Sequence, residues 1–266
     1  MRILCLVKPV PDVDQLRYDR ERNVLIRDAV RLILNPEDAT AVATALGLKE
    51  AIPDTTIGVV SMAPLGALPH LEDLLRRGVD WATLISDPRH AGSDTWATSR
   101  VLARYLAAQE FDCVFCGTHT LDSGTGQVPA QIAEALGLPL MVGIGSLVEL
   151  DLRAGQAVVD VEVEAALLRF SIALPAVLGF QYDPRRKLPP IRYEDLDRDL
   201  SGQVAVLGVS ELGMDESELG LRGSLTQVRR LEGDALEAKN PLRLRADPEG
   251  IDHVVRWLRE KGFLQP

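Results

Sequence analysis

The chain has 266 residues, enough for one large α/β domain or a domain with a smaller annex. Hydrophobic residues make up 46% and charged residues 26%, ordinary for a soluble globular protein, and no apolar run reaches the length of a membrane span. A formal net charge of −10 argues against the basic face that nucleic acid requires, and the four histidines are scattered singly with no metal-ligand spacing, so no metal is expected.

Arg2 to Val7 reads as a first apolar strand, ended by Lys8 and Pro9. No small-residue cleavage site follows, so this segment is expected to be a strand and not a signal peptide, and the protein to be cytoplasmic or to lie in an organelle whose presequence is absent from this sequence. Lys8-Pro-Val-Pro-Asp12 forms a loop. Leu16 to Arg27 alternates around a turn at Arg22-Asn23 and reads as a hairpin over the domain edge. Asn35-Pro36-Glu37-Asp38 is a helix start: Asn caps, Pro takes the first helical position, and two acids lie in the first turn. That helix is expected to reach Ala51, with Ala41, Val42, Ala45, Leu46 and Leu48 on its buried side.

Thr56 to Ser61 reads as a second strand of parallel type. A helix follows from Leu68 to Arg77, ended by Gly78, and Thr83 to Ser86 is a third strand. Ser93-Asp94-Thr95 opens a helix to about Gln109, with Thr98 also near its start. Phe111 to Cys116 is a short buried strand. Cys113 and Cys116 have C-x-x-C spacing but lie inside that strand, away from the helix N-terminus a redox pair would occupy, so they read as structural thiols.

The stretch Gly117–Gly137 then organises the chain as strand, small-residue loop and helix. Val128, Ile132, Ala135 and Leu136 recur at helical spacing, and Gly137 sits where a helix stops. Gly124 and Gly126 carry no side chain to hold a ligand away. Thr125, Gly126 and Gln127 would present backbone N–H groups at a helix N-terminus, which suits phosphate. Asp122 and Gln127 supply polar groups for a ribose or a base. Taken alone, the loop reads equally well as a Gly-rich connector before a capped helix.

Leu140 to Ser146 is a fifth strand. The alternation predicts an α/β fold with a mostly parallel, five-stranded, doubly wound sheet. With the common order 3-2-1-4-5, winding reverses between the first and fourth strands. Ligands bind at such a reversal, where the loops Lys8–Asp12 and Gly117–Gln127 meet. Beyond Ser146, the segments Leu147–Leu150, Ala157–Val163, Leu167–Leu174 and Ala176–Phe180 read as an antiparallel β extension. Asp183 to Pro190 is a Pro- and Arg-rich loop, and Tyr193 to Asn240 is charged. Glu218 to Val228 looks like an extended arm, and Asp247 to Lys261 a final helix. The expected division is 1–182, a nucleotide-binding α/β domain with its β extension, and 183–266, the Pro- and Arg-rich loop and a C-terminal arm with its terminal helix. Such an arm buries little against its own domain and is expected to wrap a partner chain.

These residues together resemble the β subunit of an electron transfer flavoprotein. The resemblance rests on Val7-Lys8 with Val-Pro-Asp after the first strand, Asn35-Pro36 with Asp38, Val60-Ser61, Asp94-Thr95-x-Ala97-Thr98, Asp122…Thr125-Gly126-Gln127-Val128, Leu174-Pro175-Ala176-Val177 and Gly220-Leu-x-Gly223-Ser224-x-Thr226. It implies an adenine-nucleotide α-hydrolase-like domain and a role as electron carrier, with no catalytic residue of its own. The partners it implies are an α subunit sharing an FAD in a heterodimer, a flavin or NADH dehydrogenase, and a quinone oxidoreductase or ferredoxin. The β-chain pocket holds AMP in one branch of the family and a second FAD in the electron-bifurcating branch. Asp94-Thr95-Trp96-Ala97-Thr98 favours the second branch.

Matched onto this chain, the expected nucleotide contacts are Leu6, Lys8, Asn35, Met62, Asp94, Thr95, Thr98, Asp122, Gly124, Thr125, Gly126, Gln127 and Val128. Leu188, in Pro184-Arg-Arg-Lys-Leu188-Pro-Pro-Ile191, matches the exposed leucine that docks a dehydrogenase. The chain departs from the family pattern at Glu164-Ala-Ala-Leu-Leu168, at Pro129, and in the absence of a lysine run after Ile191. An ATP-using enzyme of the same fold is the alternative, but it would need a Ser-Gly-Gly-x-Asp-Ser-like loop where Lys8-Pro-Val-Pro-Asp12 stands. A stand-alone adenine-nucleotide module would have no reason to carry the arm.

Overall fold

Strand β1 is Arg2–Leu6, and Ile3, Leu4, Cys5 and Leu6 are all buried because helices cover both faces of the sheet there. The computed structural model describes residues 1–12, 17–19, 24–26, 31–200, 202–227 and 242–264. After β1 come β2 (Pro9–Pro11), β3 (Arg17–Asp19), β4 (Val24–Ile26), β5 (Leu32–Leu34), α1 (Pro36–Ala51), β6 (Thr56–Met62), α2 (Leu68–Arg76), β7 (Trp81–Ile85) and α3 (Thr95–Leu106). The chain continues through β8 (Cys113–Gly117), α4 (Val128–Leu136), β9 (Leu140–Asp151), β10 (Gln156–Val163), β11 (Ala166–Ala173) and β12 (Ala176–Phe180). It closes with β13 (Val204–Leu207), α5 (Val209–Leu212), α6 (Gly220–Gly223) and α7 (Pro248–Glu260).

Strands β3 and β4 pair antiparallel, as the expected hairpin requires, while its turn at Arg22-Asn23 lies outside the described residues. The main sheet runs β11-β10-β9-β12-β8-β1-β6-β7-β13. From β9 to β13 every neighbouring pair is parallel, and β10 and β11 extend the sheet antiparallel. The fold is therefore the expected mostly parallel α/β type, with two differences of arrangement. Ala176–Phe180 is not part of the antiparallel extension: it inserts parallel between β8 and β9, and all five of its residues are buried. Val204–Leu207 adds an unexpected parallel strand at the other edge. Neither is visible in periodicity, because a short apolar run does not reveal its partners.

Two apolar layers result. On one face α1 and α2 cover the sheet through Ala41, Val42, Ala45, Leu71 and Leu74. On the other, α3 and α4 contribute Val101, Leu102, Leu106 and Ile132. Cys5, Cys113 and Cys116 are free thiols buried within this packing, and burial pushes all three up from their ordinary range.

By internal contacts Met1–Gln227 forms one compact unit and Val228–Pro266 another. The first includes the charged stretch after Asp183. Glu218–Gln227 is not extended there: α6 and Ser224 fold against the start of α3, because Leu219 is buried and anchors the turn. In the second unit, α7 is capped by Asp247, whose Oδ1 accepts from Gly250 N at 2.9 Å, and its apolar residues Ile251, Val254 and Trp257 are exposed. Among the described residues no helix is long and apolar enough to cross a membrane.

Candidate functional site

Strands β1 and β8 are neighbours, and the sheet is wound away from them in opposite directions, through β6 and β7 on one side and β12 and β9 on the other. This is the expected reversal, and the two loops beyond it meet. Lys8 Nζ lies 2.6 Å from Asp122 Oδ2, bridging them directly. Burial pushes the Asp122 carboxyl up, but hydrogen bonds from Lys8 and Thr120 outweigh it and hold the group below the ordinary carboxylate range.

The floor of this junction is the first turn of α1. Asp38 is buried, and its two oxygens accept from Lys8 N at 2.8 Å and Gly117 N at 2.9 Å. Glu37 Oε2 accepts from His119 N at 2.5 Å. The acids that read as helix-dipole partners thus also staple the loops after β1 and β8 to α1. Glu37 and Asp38 were missing from the expected site, although two acids directly after Asn35-Pro36 were the available signal. Gly117 permits the approach: a Cβ there would lie 2.5 Å from Asp38 Oδ1 and 2.7 Å from Glu37 Cβ. Burial pushes the Asp38 carboxyl up to about 7, against hydrogen bonds from Asn35, Lys8 and Gly117 that pull it down.

Asn35 occupies the cap position of α1, but its side chain does not cap. Its Nδ2 donates to His119 O at 2.8 Å and its Oδ1 accepts from Leu121 N at 3.3 Å, so the amide holds the β8 loop. Pro at the first helical position removes one N–H that would otherwise need capping. Leu6 and Met62 close the carboxyl ends of β1 and β6, packed with the α3–α4 layer.

The second part of the site is where α3 and α4 begin. Gly124 and Gly126 adopt φ of 60° and 62°, turning the loop into Val128. The backbone N–H groups of Thr125, Gly126 and Gln127 donate to no acceptor among the described residues. Thr95 Oγ1 donates to Gln127 Oε1 at 2.9 Å, and Ser99 Oγ donates to Gln131 Oε1 at 2.9 Å, so the two helix N-termini are laced together. Thr98 sits in the same first turn of α3. Asp94 caps α3 through Ala97 N at 3.0 Å and accepts twice more from Thr226. Those bonds outweigh its burial and hold its carboxyl below the ordinary range.

Chemically, one end of the site offers an amine and a carboxylate beside backbone carbonyls, as a nucleoside requires. The other offers unspent N–H donors, hydroxyls and two helix dipoles, as phosphate requires. Leu188 lies apart from this site. It is half-buried against the α1–α2 layer, in a loop where Pro189 O accepts from Arg77 Nη1.

A model of the electron transfer flavoprotein domain matches residues 22–211. The chain is 32% identical to the electron transfer flavoprotein subunit beta of Thermoanaerobacterium thermosaccharolyticum, across 99% of this chain and 100% of the relative. It is also 32% identical to the caffeyl-CoA reductase-Etf complex subunit CarD of Acetobacterium woodii, across 86% of this chain and 87% of that one. To protein FixA of Azotobacter vinelandii it is 31% identical, across 87% and 83%.

Proposed function

The chain belongs to the electron transfer flavoprotein family, in the β subunit branch, and on that premise we propose that it pairs with an α subunit and holds an adenine nucleotide at the junction of the β1 and β8 loops. The heterodimer passes electrons between a flavin or NADH dehydrogenase and a quinone or ferredoxin pathway. The observation that carries the reading is the convergence of the Lys8–Asp122 bridge with the unspent N–H groups of Thr125, Gly126 and Gln127 at one sheet reversal.

The residues fit such a group. Lys8 and Asp122 would hold the adenosine end, in a loop that the Asn35 amide fastens through His119 O and Leu121 N. Thr125, Gly126, Gln127 and Val128 would hold phosphate through backbone N–H groups, with Thr98 adding a hydroxyl. Gly124 N already donates to Thr120 O at 2.8 Å and the Thr95 hydroxyl to Gln127 Oε1 at 2.9 Å, so these two shape the loop. Two helix N-termini laced by Thr95 and Gln127 suit a diphosphate better than a monophosphate, which favours FAD over AMP. When bound, a flavin supplies the one- and two-electron chemistry. This chain's part is to bind, orient and shield it. The exposed apolar residues of α7 support a wrapping role for the C-terminal segment on the α subunit.

The test is Asp122→Ala combined with Gln127→Ala, produced together with the α subunit. The double variant should lose the nucleotide of this chain and keep the FAD shared with the α subunit. Full nucleotide content would refute the site.

A further inference from the structure

Asp94 was expected to touch the nucleotide, but its carboxylate is already committed. Oδ1 accepts from Ala97 N at 3.0 Å, capping α3. Oδ2 accepts from Thr226 N at 2.8 Å and Thr226 Oγ1 at 2.9 Å. Its own backbone N donates to Ser224 Oγ at 2.8 Å, and that hydroxyl faces Gly220 O at 2.7 Å and Gly92 O at 3.2 Å. An ionised carboxylate has no proton to donate, so it cannot serve phosphate directly.

The segment it grips is also anchored by the buried Leu219, packed with the α3–α4 layer, and by two ion pairs. Arg89 Nη1 reaches Glu216 at 3.4 Å, and Arg100 pairs with Glu218. Gly220, at φ +53°, lets the chain pass so close that a Cβ would lie 2.3 Å from Arg89 O. On the other side of Asp94 the next residue, Thr95, donates to Gln127 at 2.9 Å, in the loop that offers the phosphate donors. Thr226, Asp94, Thr95 and Gln127 thus form one continuous chain from the C-terminal segment to the site.

We propose that Asp94 is a positioning residue that couples the seating of Gly220–Thr226 on α3 to nucleotide binding at the Gly124–Gln127 loop. The inference rests on the nucleotide site proposed above. It takes Asp94 out of the contact set and gives the segment after Glu218 a part in retaining a phosphate-bearing adenine nucleotide. Coupling of this kind is reciprocal: whatever seating the segment gains for the nucleotide, the nucleotide gains for the segment.

Two variants separate capping from gripping. Asp94→Asn keeps an oxygen for Ala97, since Asn caps as well as Asp, but places an NH2 group where Thr226 needs an acceptor. Thr226→Val leaves the cap untouched and removes one of the two donors. Both are made in the full chain with its α subunit. Hydrogen–deuterium exchange is followed across residues 218–227 and across α3, and affinity is measured for AMP, ADP and FAD. In the unaltered protein, bound nucleotide should slow exchange in 218–227. Asp94→Asn should speed exchange there at least tenfold and weaken nucleotide by a similar factor, with the middle of α3 unchanged. Thr226→Val should do both to a smaller extent. A freed segment with undiminished affinity, or exchange unmoved in both variants, overturns the coupling. If the unaltered protein binds none of the three nucleotides, the site reading and the coupling both fall, and the exchange data alone then show whether Asp94 holds the segment.

Discussion

Lys8 Nζ and Asp122 Oδ2, 114 residues apart in the chain, stand 2.6 Å from each other across the sheet reversal. Their side chains are 42% and 26% exposed, so the bond adds little to stability, about 0–1 kcal/mol. Lys8→Met should therefore melt close to the parent and yet bind adenine nucleotide at least tenfold more weakly. Calorimetry on the purified complex reads both. A large drop in melting temperature would make the pair a structural brace instead.

Asp38 gives the site a pH signature. Its carboxyl is raised by burial to about 7 in the folded chain, against an ordinary 3.8. Folding then favours the protonated form. The associated stability is fully present below about pH 4 and is lost as pH rises through about 7. The lost portion is of order 4 kcal/mol. Asp38→Asn lacks this titration. The stability of the variant relative to the parent should therefore improve steadily from pH 4 to pH 7, from a starting deficit set by the lost N–H acceptor. A pH-independent difference would show that the three donors keep Asp38 ionised throughout.

Gly117 is required by closeness, not by conformation. A methyl group there would meet Asp38 and Glu37 at 2.5–2.7 Å, so Gly117→Ala should cost roughly 1–3 kcal/mol in denaturant unfolding. Gly47, inside α1 with nothing within 4 Å of where a methyl group would stand, is the control. Gly47→Ala should stabilise by about 0.4–1 kcal/mol.

Leu188 is proposed to meet a dehydrogenase although it is half-buried against the core. Leu188→Ala should slow electron exchange with that partner severalfold without changing flavin content, and should lower stability by about 1–2 kcal/mol. Unchanged exchange kinetics would remove Leu188 from the docking surface.

Much of this was legible in the sequence where a local rule governs. Asn35-Pro36 marks the start of α1, Gly137 at φ +65° ends α4, and the order of β7, β6, β1 and β8 agrees with the common doubly wound order taken for the sheet. The rest depends on partners far away in the chain. Ala176–Phe180 enters the sheet between β8 and β9, and no feature of its five residues names those neighbours. Asn35 reads as a cap because Asn favours that position, yet its amide goes to His119 and Leu121, 84 and 86 residues away. Asp94 reads as a phosphate contact, and only the return of Thr226 shows that its oxygens are spent.

The most direct measurement is a count of nucleotides. The chain is purified with its α subunit, denatured in acid, and the released nucleotides are quantified by mass spectrometry. The account predicts two adenine nucleotides per heterodimer, the second of them FAD held by this chain. A single FAD with no second nucleotide would contradict it.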